Sequence, residues 1–281
     1  MCAMTGSPAT RTPLDTAALT ARLAPTITGG LVLRGEAGST NTELRELLRD
    51  RPWTGPVLLS TEHQQAGRGR AGHGWQTPRG AALTFSLAVR PERERADWGW
   101  LPLLTGLAVV RGIEEVAGLR PGIKWPNDVL LPAAESVPGW GPWRKAVGIL
   151  TEAAGDALIV GIGINVDQDA AELPVPHAGS LRTAGVVGVD RTALLIAVVQ
   201  QVMSLVAAPR DPAAEQQVRE RCVTLGLEIE AERPGGDRLT GRATGIADDG
   251  SLLVETPTGT ASLSAGDLRH VRPRGELGST A

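Results

Sequence analysis

Residues 67–75 read GRGRAGHGW, four glycines and two arginines in nine positions with no acidic side chain. A backbone this bare lays its N–H groups along an anion, and two guanidiniums grip phosphate oxygens in a forked geometry. Glycine loses the most freedom on folding, so such a loop is costly to order. A phosphate-bearing ligand that orders it is the functional reading; a solvated surface loop is the plain one. Lys124-Trp125-Pro126-Asn127-Asp128 forms a second cluster. Pro126 forces a turn that orients Lys124, a compact point charge with three donors suited to a carboxylate and a phosphate; a lone lysine at a strand end ordinarily reaches into solvent. The third cluster, Gly161-Ile162-Gly163-Ile164-Asn165-Val166, places glycines where a ligand comes close or where a bulge interrupts a ladder. Ser39, Thr40 and Asn41 suit a helix cap, itself a polar site. Gln64, or its neighbour Gln65, offers paired donor and acceptor groups to a small polar ring.

Gly67, Gly69 and Gly72 also satisfy GxGxxG, but a dinucleotide fold needs a helix directly after the glycines. Here Pro78 and Gly80 mark a turn and LTFSLAV follows as a strand, so that reading fails. The kinase set and GxxxxGK[ST] are missing as well.

The elements that must carry these clusters are legible in outline. Helices are expected at Leu14 to Ala24, from Ser39-Thr40-Asn41 to Asp50 with capping-box spacing between Thr40 and Glu43, at Leu101 to Leu119, Arg191 to Ala207 and Glu215 to Leu225. Strands are expected at Leu31 to Arg34, at Val57 to Thr61 beside the strand after the glycine loop, at Gly122 to Trp125, at Val129 to Leu131 with Lys145 to Thr151, and at Ala157 to Val166. Pro132 to Arg144, rich in Pro, Gly and Trp, reads as a mobile loop. From Leu227, short strands separated by Pro234 to Asp237, Asp248-Asp249-Gly250, Thr256 to Gly259 and Ala265-Gly266-Asp267 indicate a small antiparallel barrel.

A chain of 281 residues, 42% hydrophobic and 21% charged, is an ordinary globular protein with room for one large domain and a small one. A net charge of −3 and a pI near 5.9 provide no basic field for nucleic acid. Leu101 to Val110 is too short to cross a bilayer. MCAMTGSPATRTP lacks the apolar core of a secretory signal. Cys2 and Cys222 have no metal-ligand spacing and fit a reducing cytoplasm, Cys222 facing the core of a helix. His63, His73, His177 and His270 form no zinc-binding pair. Seven tryptophans, one phenylalanine and no tyrosine make up the aromatic content, a bias without a physical account.

Taken in order, GSTN at 38–41, QQAGRGRAGHGW at 64–75, KWPNDVLL at 124–131, KAVGILTE at 145–152 and VGIGINV at 160–166 closely resemble biotin–protein ligase, the biotin–[acetyl-CoA-carboxylase] ligase family. The resemblance implies an α+β fold: a mixed β-sheet flanked by helices, of the class II synthetase-like biotin/lipoate ligase type, with a small SH3-like β-barrel at the C-terminus. It divides the chain into a disordered tail (1–13), a catalytic domain (14–222), a barrel (223–274) and a tail (275–281). It implies that ATP and Mg²⁺ activate biotin as biotinyl-5′-AMP, which a lysine of a biotin carboxyl carrier domain of an acyl-CoA or pyruvate carboxylase then attacks. On this resemblance Ser39, Thr40, Asn41 and Gln64 meet biotin. Gly67, Arg68, Gly69 and Arg70 close over biotin and the adenylate phosphate, and Trp75 packs beside the loop or the adenine. Lys124 binds the biotin carboxylate and stabilises charge at the α-phosphate. Asn127 lies near the nucleotide, Asp128 at its Mg²⁺, and Lys145 near the phosphates or ribose. Gly161, Gly163 and Asn165 line the floor. The loop departs from the family pattern at Ala71, His73 and Gly74, where many members carry basic residues. Only 37 residues precede Gly38, too few for the DNA-binding domain of the repressor members. No DNA or membrane partner is expected, and the enzyme is expected as a cytoplasmic monomer or weak homodimer. The alternatives are a lipoate–protein ligase or octanoyltransferase of the same fold (the latter needing a cysteine at the site), a non-catalytic biotin sensor, or an inactive homologue.

Overall fold

A computed structural model describes residues 11–49, 53–72, 74–232, 237–265 and 270–273. The larger unit opens with α1 (Thr16–Leu23), capped by Asp15, whose carboxylate accepts from Ala18 N. There follow β1 (Gly30–Arg34), α2 (Thr40–Arg49), β2 (Val57–Thr61), a short pair β3 (Gly67–Arg68) and β4 (Gly74–Trp75), β5 (Ala82–Val89), α3 (Leu101–Ala117), β6 (Gly122–Lys124), β7 (Asp128–Val137), β8 (Gly141–Ala154), β9 (Ala157–Asn165), α4 (Arg191–Val202) and α5 (Pro212–Arg221). Seven strands form one mixed sheet in the order β1-β2-β5-β9-β8-β7-β6. Only β1 and β2 run parallel.

Side chains alternate across a strand, and here alternation separates packing from function. Leu83, Phe85 and Leu87 of β5 and Val160, Ile162 and Ile164 of β9 face the main core with α1, α3 and α4. The opposite face carries Val57, Leu59, Ala88 and Ile159 against Leu44 of α2. Further along that second face the apolar residues give way to Thr84, Ser86, Gly161, Gly163 and Asn165. Register lines up Thr84, Gly163, Gly148 and Asp128 as one row across four strands. The β9 ladders run without a register shift, so the glycines of GIGIN mark no bulge.

α3 ends at Gly118, whose φ of +66° supplies the left-handed cap. Asp211 caps α5, which therefore starts at Pro212, ahead of the expected Glu215. Glu43 accepts from Gly38 N, so the expected box with Thr40 does not form in that register. Two further expectations need correction. Pro132 to Arg144 is the outer part of the β7–β8 hairpin: Trp143 is buried beside Leu130 and Val223, and Arg144 donates to the carbonyls of Glu135 and Gly141. Arg11 and Thr12, assigned to a disordered tail, are held: Arg11 donates to Asp167 O and pairs with Glu172, and Arg191 donates to Thr12 O. Residues 1–10 and 275–281 lie outside the described residues, as do Cys2 and His73.

After Cys222, which is buried at the end of α5 rather than within a helix, the chain enters β10 (Glu228–Glu232), β11 (Arg238–Ile246), β12 (Leu252–Thr256), β13 (Gly259–Leu263) and β14 (His270–Pro273). These form an antiparallel sheet ordered β13-β12-β11-β10-β14. Among the described residues no ladder joins β13 to β14, so the expected barrel is seen as an antiparallel sheet. The turn Asp248–Gly250 docks on the larger unit: Trp100 Nε1 donates to Asp248 O at 2.9 Å and Trp125 Nε1 to Gly250 O at 3.1 Å.

Candidate active site

The polar end of the sheet's second face opens into a cavity of about 770 Å³, and every residue given a site role by the resemblance except Gly67 borders it. At one end, the start of α2 brings Thr40 N within 3.0 Å of Gln64 Oε1. Ser86 Oγ lies 2.7 Å from Thr40 Oγ1 and 2.6 Å from Asn41 Oδ1. Asn41 Nδ2 donates to Glu152 at 2.7 Å and to Leu150 O. Gln64 thus keeps its Nε2 for another acceptor. Asn41 is spent on the protein, and Gly161 is there to admit it: a Cβ at Gly161 would come within 2.3 Å of Asn41 Oδ1.

At the centre sits a charged row. Asp128 is buried, with Oδ2 at 3.6 Å from Lys124 Nζ and Oδ1 at 2.6 Å from Lys145 Nζ. Burial alone would raise its carboxyl, but Lys145 and then Lys124 hold it below the usual carboxylate range. Burial pushes the Lys124 ammonium down, Asp128 pulls it back up, and Lys145 pushes it down again. Asp128 is already paired with two ammoniums, and no group of three His, Cys, Asp or Glu that could hold a metal ion occurs among the described residues. The donor set does not fit the expected metal role of Asp128.

The glycine loop crosses this row. Arg70 lies 3.5 Å from Asn127 Oδ1 and donates to the carbonyl of Ala265 in the smaller unit. Asn127 is fixed by its own bonds to Ile149. Arg68 is exposed and donates to Thr42. Gly67 is packed below the loop, where a Cβ would meet Gln64 Nε2 and Trp75 O. The indole of Trp75 lies on the floor, 2.6 Å from a Cβ built at Gly163 and 3.1 Å from one at Gly148, and its buried Nε1 has no hydrogen-bond partner among the described residues.

Beyond the lysines, Asn165 Nδ2 donates to Gly179 O and Gln168 Nε2 donates to Asn165 Oδ1. The hairpin tip brings Trp140 over Lys124, 5.4 Å from ring centroid to Nζ, and stacks it on His177 at 4.4 Å. Trp140, His177, Ser86 and Gln168 were not found from the sequence. Their motif-free loops carry no spacing signal, and the serine reads simply as part of a buried strand.

Comparisons agree with this architecture. The Biotin/lipoate A/B protein ligase family model matches residues 37–169, and the Biotin protein ligase C terminal domain model matches 224–270. Biotin--[acetyl-CoA-carboxylase] ligase of Mycobacterium tuberculosis is 34% identical over 277 residues, covering 96% of this chain and 100% of that protein. Bifunctional ligase/repressor BirA of Bacillus subtilis is 30% identical over 250 residues, 85% of this chain and 73% of that one. The solved biotin protein ligase from Aquifex aeolicus in complex with biotin and ATP superposes with a TM-score of 0.69 at 27% identity, over 87% of this chain and 99% of that one. The fold and the site define a ligase of the biotin/lipoate class. Within that class, the chain belongs to the biotin protein ligase family.

Proposed function

We propose that this chain joins biotin to a lysine of a biotin carboxyl carrier domain, using ATP in two steps. A biotin carboxylate oxygen attacks the α-phosphorus and pyrophosphate leaves, giving biotinyl-5′-AMP. The acceptor amine then attacks the acyl carbon, loses its proton and expels AMP. The observation that carries the reading is the row in which buried Asp128 pairs with Lys124 and Lys145, bordering a cavity that is also lined by the neutral polar Thr40, Gln64 and Asn165. Negative charge gathers where carboxylate and phosphate meet, and preorganised cations in a water-poor site stabilise that transition state.

The remaining roles follow from position. Ser39, Thr40 and Gln64 would meet the ureido ring, with Asn41 holding the wall. Lys124 would bind the carboxylate and Lys145 the phosphates. Gly67, Arg68, Gly69 and Arg70 would fold over the mixed anhydride and keep water from it. Asn127 would set Arg70 and approach the nucleotide. Trp75 would pack beside the adenylate after leaving the glycine floor of Gly148 and Gly163. Asn165 would border the base. Mg²⁺ enters this reading as an ion carried by the nucleotide phosphates rather than as a ligand of Asp128. The catalytic unit is taken as 14–222 and the smaller one as 223–274. The acceptor is taken to belong to an acyl-CoA or pyruvate carboxylase, and the enzyme to work as a monomer or weak homodimer in the cytoplasm. The buried, unpaired Cys222 supports the last point. No helix among the described residues is long and apolar enough to cross a membrane.

The test is biotin-dependent exchange of labelled pyrophosphate into ATP by the purified protein with Mg²⁺, with lipoate and octanoate in parallel. Exchange with biotin alone is expected. Exchange with lipoate instead would move the chain to the lipoate branch, and biotin binding without exchange would make it a sensor.

A further inference from the structure

Ser86 is fully buried in β5, and no motif and no step above uses it. Its hydroxyl touches Thr40 and Asn41, which with Gln64 are buried and border the cavity. A hydroxyl carries one proton, so the directions of the bonds in this cluster can be counted. The count begins at Glu152, whose Oε1 pairs with Arg45 at 2.8 Å. Its Oε2 lies 2.7 Å from one end of the Asn41 amide, and Leu150 O lies 3.2 Å from the same atom. Both partners only accept, so that atom is Nδ2, and Asn41 Oδ1 is turned to Ser86. An amide oxygen only accepts too, so the 2.6 Å contact with Ser86 Oγ takes the one proton that Ser86 has.

The consequence falls on Thr40. Its hydroxyl lies 2.7 Å from Ser86 Oγ, and that contact now needs the proton of Thr40. Gln64 Oε1 is held by Thr40 N at 3.0 Å, with the Thr40 hydroxyl farther away at 3.3 Å. Thr40 has thus spent its proton on the protein and has only lone pairs left for a ligand, whereas Gln64 has only the N–H groups of its Nε2 left.

We propose that Ser86, fixed through Asn41 by Glu152 and Arg45, is a positioning residue that sets the hydrogen-bond polarity of the biotin end. An acceptor at Thr40 beside a donor at Gln64 matches the N–H and C=O edge of a cyclic urea. A ring with oxygen in place of that N–H would face lone pairs with lone pairs, so the chain of bonds selects by attraction and by repulsion. Ser86 touches no substrate and acts through Thr40. This inference rests on the ligase reading above.

The test is calorimetric titration of wild type and Ser86→Ala with biotin and with its two cyclic carbamate isosteres, each carrying oxygen in place of one ureido N–H. Wild type should bind at least one isostere about tenfold or more weaker than biotin, the scale of one buried polar contact. Ser86→Ala releases the Thr40 proton, which can then turn to the ring oxygen, and should bring that preference within about threefold. A residue that only fills space would weaken biotin and isostere alike. A preference that stays at the wild-type ratio in Ser86→Ala therefore overturns the proposal, as does equal binding of biotin and both isosteres by wild type. Should the Ala variant not fold, Ser86→Cys decides: its thiol is a weak donor of similar size, so a lowered ratio supports the proposal and an unchanged one overturns it. Absence of biotin binding and of biotin-dependent pyrophosphate exchange in wild type would instead overturn the ligase reading itself.

Discussion

At the scale of single residues, the site is a balance among three charges, two of them buried. Lys124→Ala is expected to cut biotin-dependent pyrophosphate exchange by about 10²-fold or more, the usual loss for one preorganised stabiliser of developing charge. Some transfer from added biotinyl-5′-AMP to a carrier domain should survive, because the first step is then already complete. Exchange at the normal rate would remove Lys124 from the chemistry. Asp128 makes a sharper test. Burial depresses the Lys124 ammonium and Asp128 partly restores it, so the alkaline limb of the exchange profile should lie below the ordinary lysine range. Asp128→Asn deletes the restoring charge and should carry that limb to still lower pH. A limb that stays in place, or moves up, would mean that another group titrates. The sequence showed KWPND as a cluster of chemistry but offered no way to see that a lysine on the next strand, Lys145, takes one oxygen of Asp128; that follows from the β7–β8 pairing.

At the scale of elements, much could be read because local chemistry and fold agree. Asp15, Asp190 and Asp211 cap α1, α4 and α5, and Gly118 ends α3. The strands flanking the glycine loop pair as their apolar runs require. The hairpin arm from Pro132 to Arg144 was hidden because Pro, Gly and Trp ordinarily punctuate loops. Its order comes from Trp143, which packs against Val223 far along the chain, a contact no local pattern announces. The site was legible as a set of motifs, while Gln168, Trp140 and His177 depended on tertiary placement. The loop itself yields a prediction. Arg70 reaches across the charged row to Asn127 and to Ala265 O, so Arg70→Ala should let biotinyl-5′-AMP escape several-fold faster with exchange largely kept. A charge-assisted contact is worth about 1.5–3 kcal/mol. Quench-flow trapping of released adenylate would measure it, and unchanged retention would show that the loop does not hold the intermediate.

At the scale of the molecule, the two units share hydrogen bonds. Carbonyls of Asp248, Gly250 and Ala265 accept from Trp100, Trp125 and Arg70, and Gly99 lies so close to Asp249 that a Cβ would stand 2.1 Å from its carbonyl oxygen. Unfolding should therefore register as one calorimetric transition for the whole chain, and Trp125→Phe, which orphans a buried carbonyl, should lower its midpoint. Two separated transitions would show the units to be independent.

The placement of Trp75 has an optical consequence. With no tyrosine in the chain, its ultraviolet emission comes almost wholly from indoles. One of these rests over Gly148 and Gly163 with no partner for its N–H among the described residues, on ground that the adenylate of the proposed reaction would occupy. Filling the cavity moves that ring into a new polarity, so the emission of the unlabelled protein should shift in proportion to occupancy, and Trp75→Phe should abolish most of the shift. The chain carries its own dye for watching the intermediate form and leave.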